Sequence, residues 1–186
     1  MDCGEPINGL YINPLKTACF TGHRPEKVPF DTGFKLFREV LTSIIYLHSY
    51  EAVARGYDTF LCGMQRGVDT WAGQQILRLK EVYPHVRLIC VSPFRKEIDQ
   101  RSGADRSDYI ELRDRCDEFI VLHDRYAQGC YQERNRFMVE RSSLIIGAVA
   151  DRKSGTGQTL NFARRKGLTV EEIDLVTLAK EYQLYR

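Results

Sequence analysis

The sequence predicts a single α/β domain whose central sheet is mostly parallel. Short apolar runs, each long enough for one strand, alternate with longer stretches in which apolar residues recur at helical spacing. Strands that alternate with helices form a parallel sheet, and the carboxyl ends of all its strands lie along one edge. The chain of 186 residues is long enough for one domain with a substantial core.

The composition is that of an ordinary globular protein, with 43% hydrophobic and 28% charged residues. The formal net charge of +2 indicates no broad basic surface and argues against nucleic acid as a partner. No apolar run approaches the roughly 20 residues of a membrane span, so no membrane association is expected, and residues 1–6 do not resemble a signal peptide. The six cysteines lack metal-binding spacing, and three of them (Cys19, Cys62 and Cys90) fall inside predicted strands. We therefore expect a cytoplasmic protein without disulfides, and the sequence indicates neither a metal nor a redox cofactor.

The first strand, about 17–20, runs directly into Thr21-Gly22-His23-Arg24-Pro25. In an open α/β sheet, ligands bind at the edge formed by the carboxyl ends of the strands. Gly22 and Pro25 fix the shape of this loop. We therefore favour a binding role for His23 and Arg24 over the alternative that they are solvated side chains of an ordinary loop.

The strand at 59–62 leads into a glycine loop, Gly63-Met-Gln-Arg-Gly67-Val-Asp69, and then into a helix that Pro84 ends. Such a loop brings backbone N–H groups and a helix N-terminus together, which suits phosphate or another anion. The spacing is neither the dinucleotide-binding fingerprint nor the P-loop. A tight connection that needs glycine only for its geometry is therefore an equal alternative.

The other predicted elements continue the alternation. Residues 1–15 are expected to form an N-terminal arm, and 95–106 a long polar loop that is either a lid or simply mobile. A second glycine loop, 150–159, is expected to open onto a helix. The remaining strands are predicted at 86–91, 118–122, 144–149 and 169–173, and the helices at 32–55, 68–83, 108–116, 130–141, 159–166 and 174–182. Loops that follow three parallel strands are expected to meet at one edge, where a phosphate-bearing small ligand would bind.

Four stretches, in this order, resemble the SLOG superfamily, which contains the LOG phosphoribohydrolases and the DprA-type proteins. They are Phe20-Thr-Gly-His-Arg-Pro25, Cys62-Gly-Met-Gln-Arg-Gly-Val-Asp-Thr-Trp-Ala72, Ser92-Pro-Phe94, and Tyr131–Met138 with Ser154-Gly-Thr-Gly157. The chain is most similar to the YpsA-like branch, a domain of unknown function, over about residues 16–175. The resemblance implies a Rossmann-like three-layer fold and a nucleotide-type ligand at the carboxyl ends of the strands, without giving an activity. LOG relatives form dimers, which implies a homodimer by analogy.

LOG enzymes cleave a cytokinin-type nucleotide between base and ribose phosphate, with a pattern similar to E-R-K-x-x-M and then P-G-G-x-G-T-x-x-E. Residues 133–138 match the first part with Asn135 in the Lys position, whereas the final Glu would fall near Leu160 or Asn161. Neither residue can act as a carboxylate, which argues against the LOG mechanism. Whether the protein is an enzyme stays open, with Asp69 and Glu133 as the candidate catalytic residues.

The combined expectation is a protein that binds a nucleotide or nucleotide-derived ligand at the carboxyl edge of the sheet, in a sensing or regulatory role. A nucleotide N-glycosidase is the alternative, and single-stranded DNA binding, as in DprA-type relatives, is the third possibility. Arg134 and Arg24 would neutralise phosphate, and Asp69 would bind a ribose hydroxyl, cap its helix or order its loop. The expected ligand-binding residues are Gly22, His23, Arg24, Gly63, Gly67, Asp69, Arg134, Asn135, Gly155, Thr156, Gly157 and Thr159.

Overall fold

The apolar runs form one six-stranded sheet, in the order β4-β3-β2-β1-β5-β6. The computed structural model describes residues 11–29 and 34–184. The strands are β1 (Thr17–Gly22), β2 (Thr59–Cys62), β3 (Arg87–Phe94), β4 (Glu118–His123), β5 (Leu144–Val149) and β6 (Thr169–Asp174). The helices are α1 (Phe34–Ala54), α2 (Val68–Val82), α3 (Gly103–Arg115), α4 (Cys130–Glu140), α5 (Gly155–Arg165) and α6 (Leu175–Leu184).

Every strand pair is parallel, and β1 lies in the interior of the sheet with Cys19 opposite Leu61 on one side and Ile145 on the other. The chain proceeds outward from β1 to β4, and α4 then returns it to the other side of β1, where β5 pairs. The direction of strand order therefore reverses between β1 and β5. In an open α/β sheet, the crevice outside the strand ends at this point is the usual ligand site.

Helices cover both faces of the sheet, because successive strand residues point to opposite sides and both sides are apolar. Phe20 and Phe60 belong to the core beneath α1, α2, α3 and α6. Cys19 and Leu61, one position away in each strand, belong to the core beneath α4 and α5. The expected Rossmann-like three-layer α/β fold is confirmed, and its sheet is parallel throughout the described strands.

Two helices begin earlier than the sequence predicts. Helix α3 begins at Gly103 instead of near Asp108, and the buried Arg101 just before it donates to Asp105 in its first turn at 3.0 Å. Helix α5 begins at Gly155 instead of Thr159, so the second glycine loop is shorter than expected. The Ser154 side chain caps α5 by accepting a hydrogen bond from the Gly157 amide at 3.2 Å, which offsets the poor helix propensity of glycine.

Strand β3 continues through Pro93 to Phe94, whereas the sequence predicts its end at Val91. Strand β2 ends at Cys62, opposite Cys90, and β3 then has only β4 as a neighbour. A proline without an N–H is tolerated where a strand has one free side.

Some predictions fall on residues that are not described. The first ten residues of the N-terminal arm, the start of the first helix at Thr32 and Cys3 lie outside the described ranges. The cysteines placed in strands (Cys19, Cys62 and Cys90) are buried as expected, and all five described cysteines are free thiols. Within residues 11–29 and 34–184, no helix is both long and apolar enough to cross a bilayer.

Candidate functional site

A cavity of about 450 Å³ lies at the carboxyl edge of the sheet, where the loops after β1 and β5 meet the start of α4. It contains eight of the twelve residues predicted to bind a ligand. They are Gly22, His23, Arg24, Asp69, Arg134, Asn135, Gly155 and Thr156. We call this cavity the switch-point cavity.

His23 joins the two loops on either side of the reversal point. Its side chain is buried, and Nε2 accepts a hydrogen bond from the backbone amide of Asp151 at 3.2 Å. Burial lowers the pKa of the His23 imidazole, and the nearby Lys27 lowers it further. A nitrogen that accepts from an amide carries no proton, so the bond requires the neutral ring with its proton on Nδ1.

Asp69 supplies a buried carboxylate to the wall of the cavity from the first turn of α2. Among the described residues, its Oδ1 has no hydrogen-bond partner. Burial raises the pKa of Asp69 from 3.8 to about 6, against the opposing effects of Arg134 and of the Gln65 and Gly22 amides. A buried polar atom that lacks a partner costs free energy, and a hydroxyl or amino group of a ligand would relieve that cost.

Arg134 is positioned by the protein before any ligand binds. Its Nη1 donates to the carbonyl of Gly63, and its Nε and Nη2 donate to Oδ1 of Asn135 at 3.1 and 2.8 Å. These bonds use part of the guanidinium donor set, so the remaining N–H groups are available to an anion in the cavity. A Cβ on Gly63 would lie 2.8 Å from the guanidinium carbon of Arg134, so glycine is needed there for this close approach.

Asn135 lines the cavity and links α4 to α5. Its Nδ2 donates to Oγ1 of Thr159 at 2.9 Å, and that hydroxyl donates to the carbonyl of Gly155 at 2.8 Å. Thr159 therefore supports the cavity wall without lining it. This chain of hydrogen bonds fixes the first turn of α5 relative to Arg134.

The N-terminal ends of two helices line the cavity, α4 through Gly129 and Gln132 and α5 through Gly155 and Thr156. The backbone amides of Gly155 and Thr156 donate no hydrogen bond to any described residue. The partial positive charge of a helix N-terminus and its free N–H groups favour anions.

Two exposed cations complete the electrostatics of the cavity. Neither Arg24 nor Lys27 forms an ion pair with a described residue, and Asp69 is the one carboxylate among the described residues that line the cavity. The cavity is therefore locally positive although the chain as a whole carries only +2.

Four predicted residues lie outside the wall of the cavity. Gly67, at φ 94°, precedes α2, and a Cβ there would lie 2.6 Å from the carbonyl oxygen of His23. Gly157 packs on the backbone of Arg152, which a Cβ would approach to 2.2 Å. These two glycines, like Gly63, allow close packing of the loops and do not line the cavity. Thr159 is the fourth.

The two catalytic candidates are in different surroundings. Asp69 lines the cavity. Glu133 is exposed, lies outside the cavity wall and pairs with Nε2 of His123 at 2.6 Å. Leu160, near the place where LOG enzymes carry their final Glu, is buried in the core, and Asn161 is exposed and bonded to Arg164.

Sequence reasoning missed about half of the cavity wall. The missed residues are Thr21, Lys27, Gln65, Tyr126, Gln128, Gly129, Tyr131, Gln132 and Ser154. Five of them lie between 126 and 132, in a segment that follows β4 at the edge of the sheet and carries no glycine-loop pattern. Tyr126 and Tyr131 pack edge-on against Phe94, with ring centres 5.7 and 6.2 Å away, and place aromatic rings beside the cavity.

The polar loop at 95–106, predicted to be a lid or mobile, is held by a buried ion pair. Arg101 donates to Glu97 at 2.9 Å and to the carbonyl of Met64 at 2.8 Å, and both charged side chains are buried. Met64 has φ 56°, an unfavourable value for a residue other than glycine. Arg101 therefore fixes the loop that leads to Asp69.

No group of three or more His, Cys, Asp or Glu in the described part of the chain is placed to hold a metal ion.

Solved structures with this fold include DNA processing protein A (DprA) from two bacteria. The protein from Streptococcus pneumoniae superposes with a TM-score of 0.58 and 17% identity, over 85% of this chain and 50% of that one. The protein from Helicobacter pylori superposes with a TM-score of 0.57 and 18% identity, over 92% of this chain and 74% of that one. At this level of identity, the likeness shows a common fold.

The expectation that nucleic acid is an unlikely partner, drawn from the low net charge, is contradicted by this comparison. The Helicobacter pylori protein, which has the same fold, binds single-stranded DNA. Net charge is a poor guide here because it averages over the whole surface, whereas Arg24 and Lys27 place unpaired positive charge at one edge.

Sequence relatives include a UPF0398 protein of Halalkalibacterium halodurans, 27% identical over 56% of this chain and 56% of its own length. The SPbeta prophage-derived protein YoqJ of Bacillus subtilis is 25% identical over 57% of this chain and 69% of its own length. The match thus spans little more than half of the first relative. The model of the YspA SLOG family matches residues 18–178, and the chain belongs to that family.

Proposed function

We propose that the switch-point cavity binds a nucleotide or nucleotide-derived ligand through its phosphate. The observation that carries the proposal is the pair of unbonded amides at Gly155 and Thr156, which line the same cavity as the unpaired cations Arg24 and Lys27. Backbone N–H groups at a helix N-terminus together with cationic side chains suit a phosphate dianion. The cavity volume of about 450 Å³ is within the usual range for small-molecule sites.

Asp69 sets a second chemical requirement that a ligand in this cavity must meet. Its free Oδ1 calls for a hydrogen-bond donor on the ligand, and a ribose hydroxyl is such a donor in a nucleotide. Tyr131, which packs near both Phe94 and Arg134, adds an aromatic side chain for a base. A phosphate, a sugar and a base would thus each meet matching chemistry.

The test is isothermal titration calorimetry with AMP, ribose 5-phosphate and adenosine. We expect AMP and ribose 5-phosphate to bind at least about ten-fold more tightly than adenosine, because a charged hydrogen bond contributes about 1.5–3 kcal/mol. The double variant Arg24→Ala/Lys27→Ala should lose about ten-fold in AMP affinity without loss of stability, since both side chains are exposed. Lys180→Ala, an exposed cation on α6, is the matched control. Equal binding of AMP and adenosine would contradict the proposal.

Single-stranded DNA is a second candidate ligand for the same edge, favoured by the unpaired cations and by the fold likeness to the Helicobacter pylori protein. The affinity for an oligothymidylate would fall steeply with salt. Each phosphate contact contributes about −0.7 to the slope of the logarithm of the binding constant against the logarithm of the salt concentration. Arg24→Ala/Lys27→Ala should reduce that slope, and an unchanged slope would exclude this edge.

Nucleotide N-glycosidase activity is the third candidate, favoured by the buried Asp69 carboxylate in the cavity wall. Release of free base from a 5′-nucleotide that stops in Asp69→Asn would support it. A protein that binds AMP and releases no base is a binding protein.

A further inference from the structure

A groove of about 300 Å³ lies between α4 and α5 and adjoins the switch-point cavity. The two share four lining residues, Tyr131, Gln132, Asn135 and Gly155. They are therefore two parts of one continuous surface. The hydrogen-bonded pair Asn135 and Thr159 lies along the wall of this groove.

The chemistry of the groove repeats that of the cavity. Arg136 and Arg165 line it, both are exposed, and neither forms an ion pair with a residue in the described ranges. The guanidinium carbon of Arg136 and the Nζ of Lys166 each lie 5.6 Å from the ring centre of Phe162, which places cations beside an aromatic ring. The wall contains no carboxylate among the described residues.

Unpaired cations beside an aromatic ring are the features by which proteins hold consecutive nucleotides, because phosphate meets charge and each base meets a flat surface. A mononucleotide occupies one such place. Here two places adjoin, each with its own cations, so the surface is longer than one nucleotide needs.

We propose that the groove is a second nucleotide subsite, and that the ligand consists of at least two nucleotide units joined through phosphate. The inference rests on the proposed function, because the first unit lies in the switch-point cavity. The second unit lies between α4 and α5, with its base on Arg136 and Phe162 and its phosphate at Arg165. A single-stranded oligonucleotide and a pyrophosphate-linked dinucleotide both have this chemistry.

The experiment compares AMP with two longer probes, the phosphodiester-linked pApA and the pyrophosphate-linked NAD, by calorimetry at one salt concentration. We expect at least one longer probe to bind wild type about ten-fold or more tightly than AMP, since one stacked base contributes about that much. In Arg136→Ala/Arg165→Ala, the affinity for the longer probe should fall to within about two-fold of the affinity for AMP, while the affinity for AMP itself stays unchanged. The probe that shows this behaviour identifies which linkage the groove accepts.

Two further variants separate the subsite from general electrostatics and from misfolding. Lys180→Ala removes one exposed cation from the opposite side of the sheet and should leave all three affinities unchanged. Phe162→Leu keeps an apolar side chain at this partly buried position and should weaken only the binding of the longer probe.

The outcomes distinguish this inference from the proposed function. If AMP binds and neither longer probe binds more tightly, the second subsite is excluded and the proposed function stands. If the groove variants weaken the binding of AMP and of the longer probes by the same factor, the groove is not a separate subsite. If none of the three probes binds wild type, both proposals fail.

Discussion

The Arg134 guanidinium lies 3.9 Å from the Asp69 carboxylate, Nη2 to Oδ2, and both side chains are buried. The distance is too long for a hydrogen bond, so each group is only partly compensated by the other. Arg134 donates three hydrogen bonds to Gly63 and Asn135, whereas Oδ1 of Asp69 accepts none from any described residue. The carboxylate is therefore the group whose charge the fold tolerates poorly.

Asp69→Asn is expected to stabilise the protein at neutral pH. A folded-state pKa of about 6 against an ordinary 3.8 means that the native protein binds more protons than the unfolded chain between these values. Wild-type stability therefore falls as pH rises from 3.8 to 6, by up to about 3 kcal/mol at about 1.4 kcal/mol per pH unit. Urea denaturation should show the variant gaining on wild type from pH 4 to about pH 6 and keeping that advantage unchanged up to pH 8. A stability difference that does not change with pH would contradict the assignment.

His23 should give the opposite pH dependence. Because its pKa is lowered in the folded protein, the native state holds fewer protons than the unfolded chain just below pH 6.5. Its contribution to stability is complete above 6.5 and is lost as pH falls through the lowered folded pKa. Long-range ¹⁵N–¹H spectra at pH 7.5 should show the proton on Nδ1, since Nε2 accepts from Asp151. A proton on Nε2 at that pH would contradict the hydrogen bond.

Gly155 and Gly157, in the same turn of α5, should respond differently to alanine. A Cβ on Gly157 would approach the Arg152 carbonyl oxygen to 2.2 Å, so Gly157→Ala should lose about 1–3 kcal/mol of unfolding free energy. A Cβ on Gly155 meets nothing within 4 Å, so Gly155→Ala should be neutral or gain up to about 1 kcal/mol. Because Gly155 lines the cavity, Gly155→Ala should still weaken the binding of AMP. Equal stability losses in the two variants would contradict this packing.

The buried ion pair between Glu97 and Arg101 should show strong coupling. Arg101→Ala leaves Glu97, which is 1% exposed, without its cation and should cost about 3–5 kcal/mol. The double variant Arg101→Ala/Glu97→Gln should recover much of that loss, because the buried group at position 97 is then neutral and Asp105, the second carboxylate bonded to Arg101, is partly exposed. A double-mutant cycle by chemical denaturation measures the coupling, and additive losses would show that the pair is independent.

The strands and their parallel pairing were predictable because each is a short apolar run, which is the pattern of a strand covered on both faces. The helix starts were less predictable. Gly155 and Gly157 suggest a loop by their propensity, and the helix forms there because Ser154 caps it and the backbone of Arg152 packs beneath it. Both contacts are local, three and five residues apart along the chain, but the two glycines outweigh the Ser154 cap when helix propensity alone is considered.

The cavity was predictable where its wall follows a strand of the sheet interior, as at His23 and Thr156. It was not predictable between 126 and 132, because β4 lies at the edge of the sheet, three strands away from β1. Only the return of α4 across the sheet brings Tyr131 to the cavity. Likewise, the sequence shows Arg101 only as one of several charges in a polar loop, and its bonds to Glu97 and Met64 could not be predicted from it.

The pairing of β1 with β5 has a consequence for the order of events during synthesis. Cys19 meets Ile145, so this contact joins the two most distant parts of the site along the chain. Contacts that close long loops form slowly and late. On the ribosome, β1 to β4 can assemble while the C-terminal quarter of the chain is still being made, yet β1 then has one open side. The nascent protein can therefore form the part of its core beneath α1, α2 and α3 before it acquires any place for a ligand.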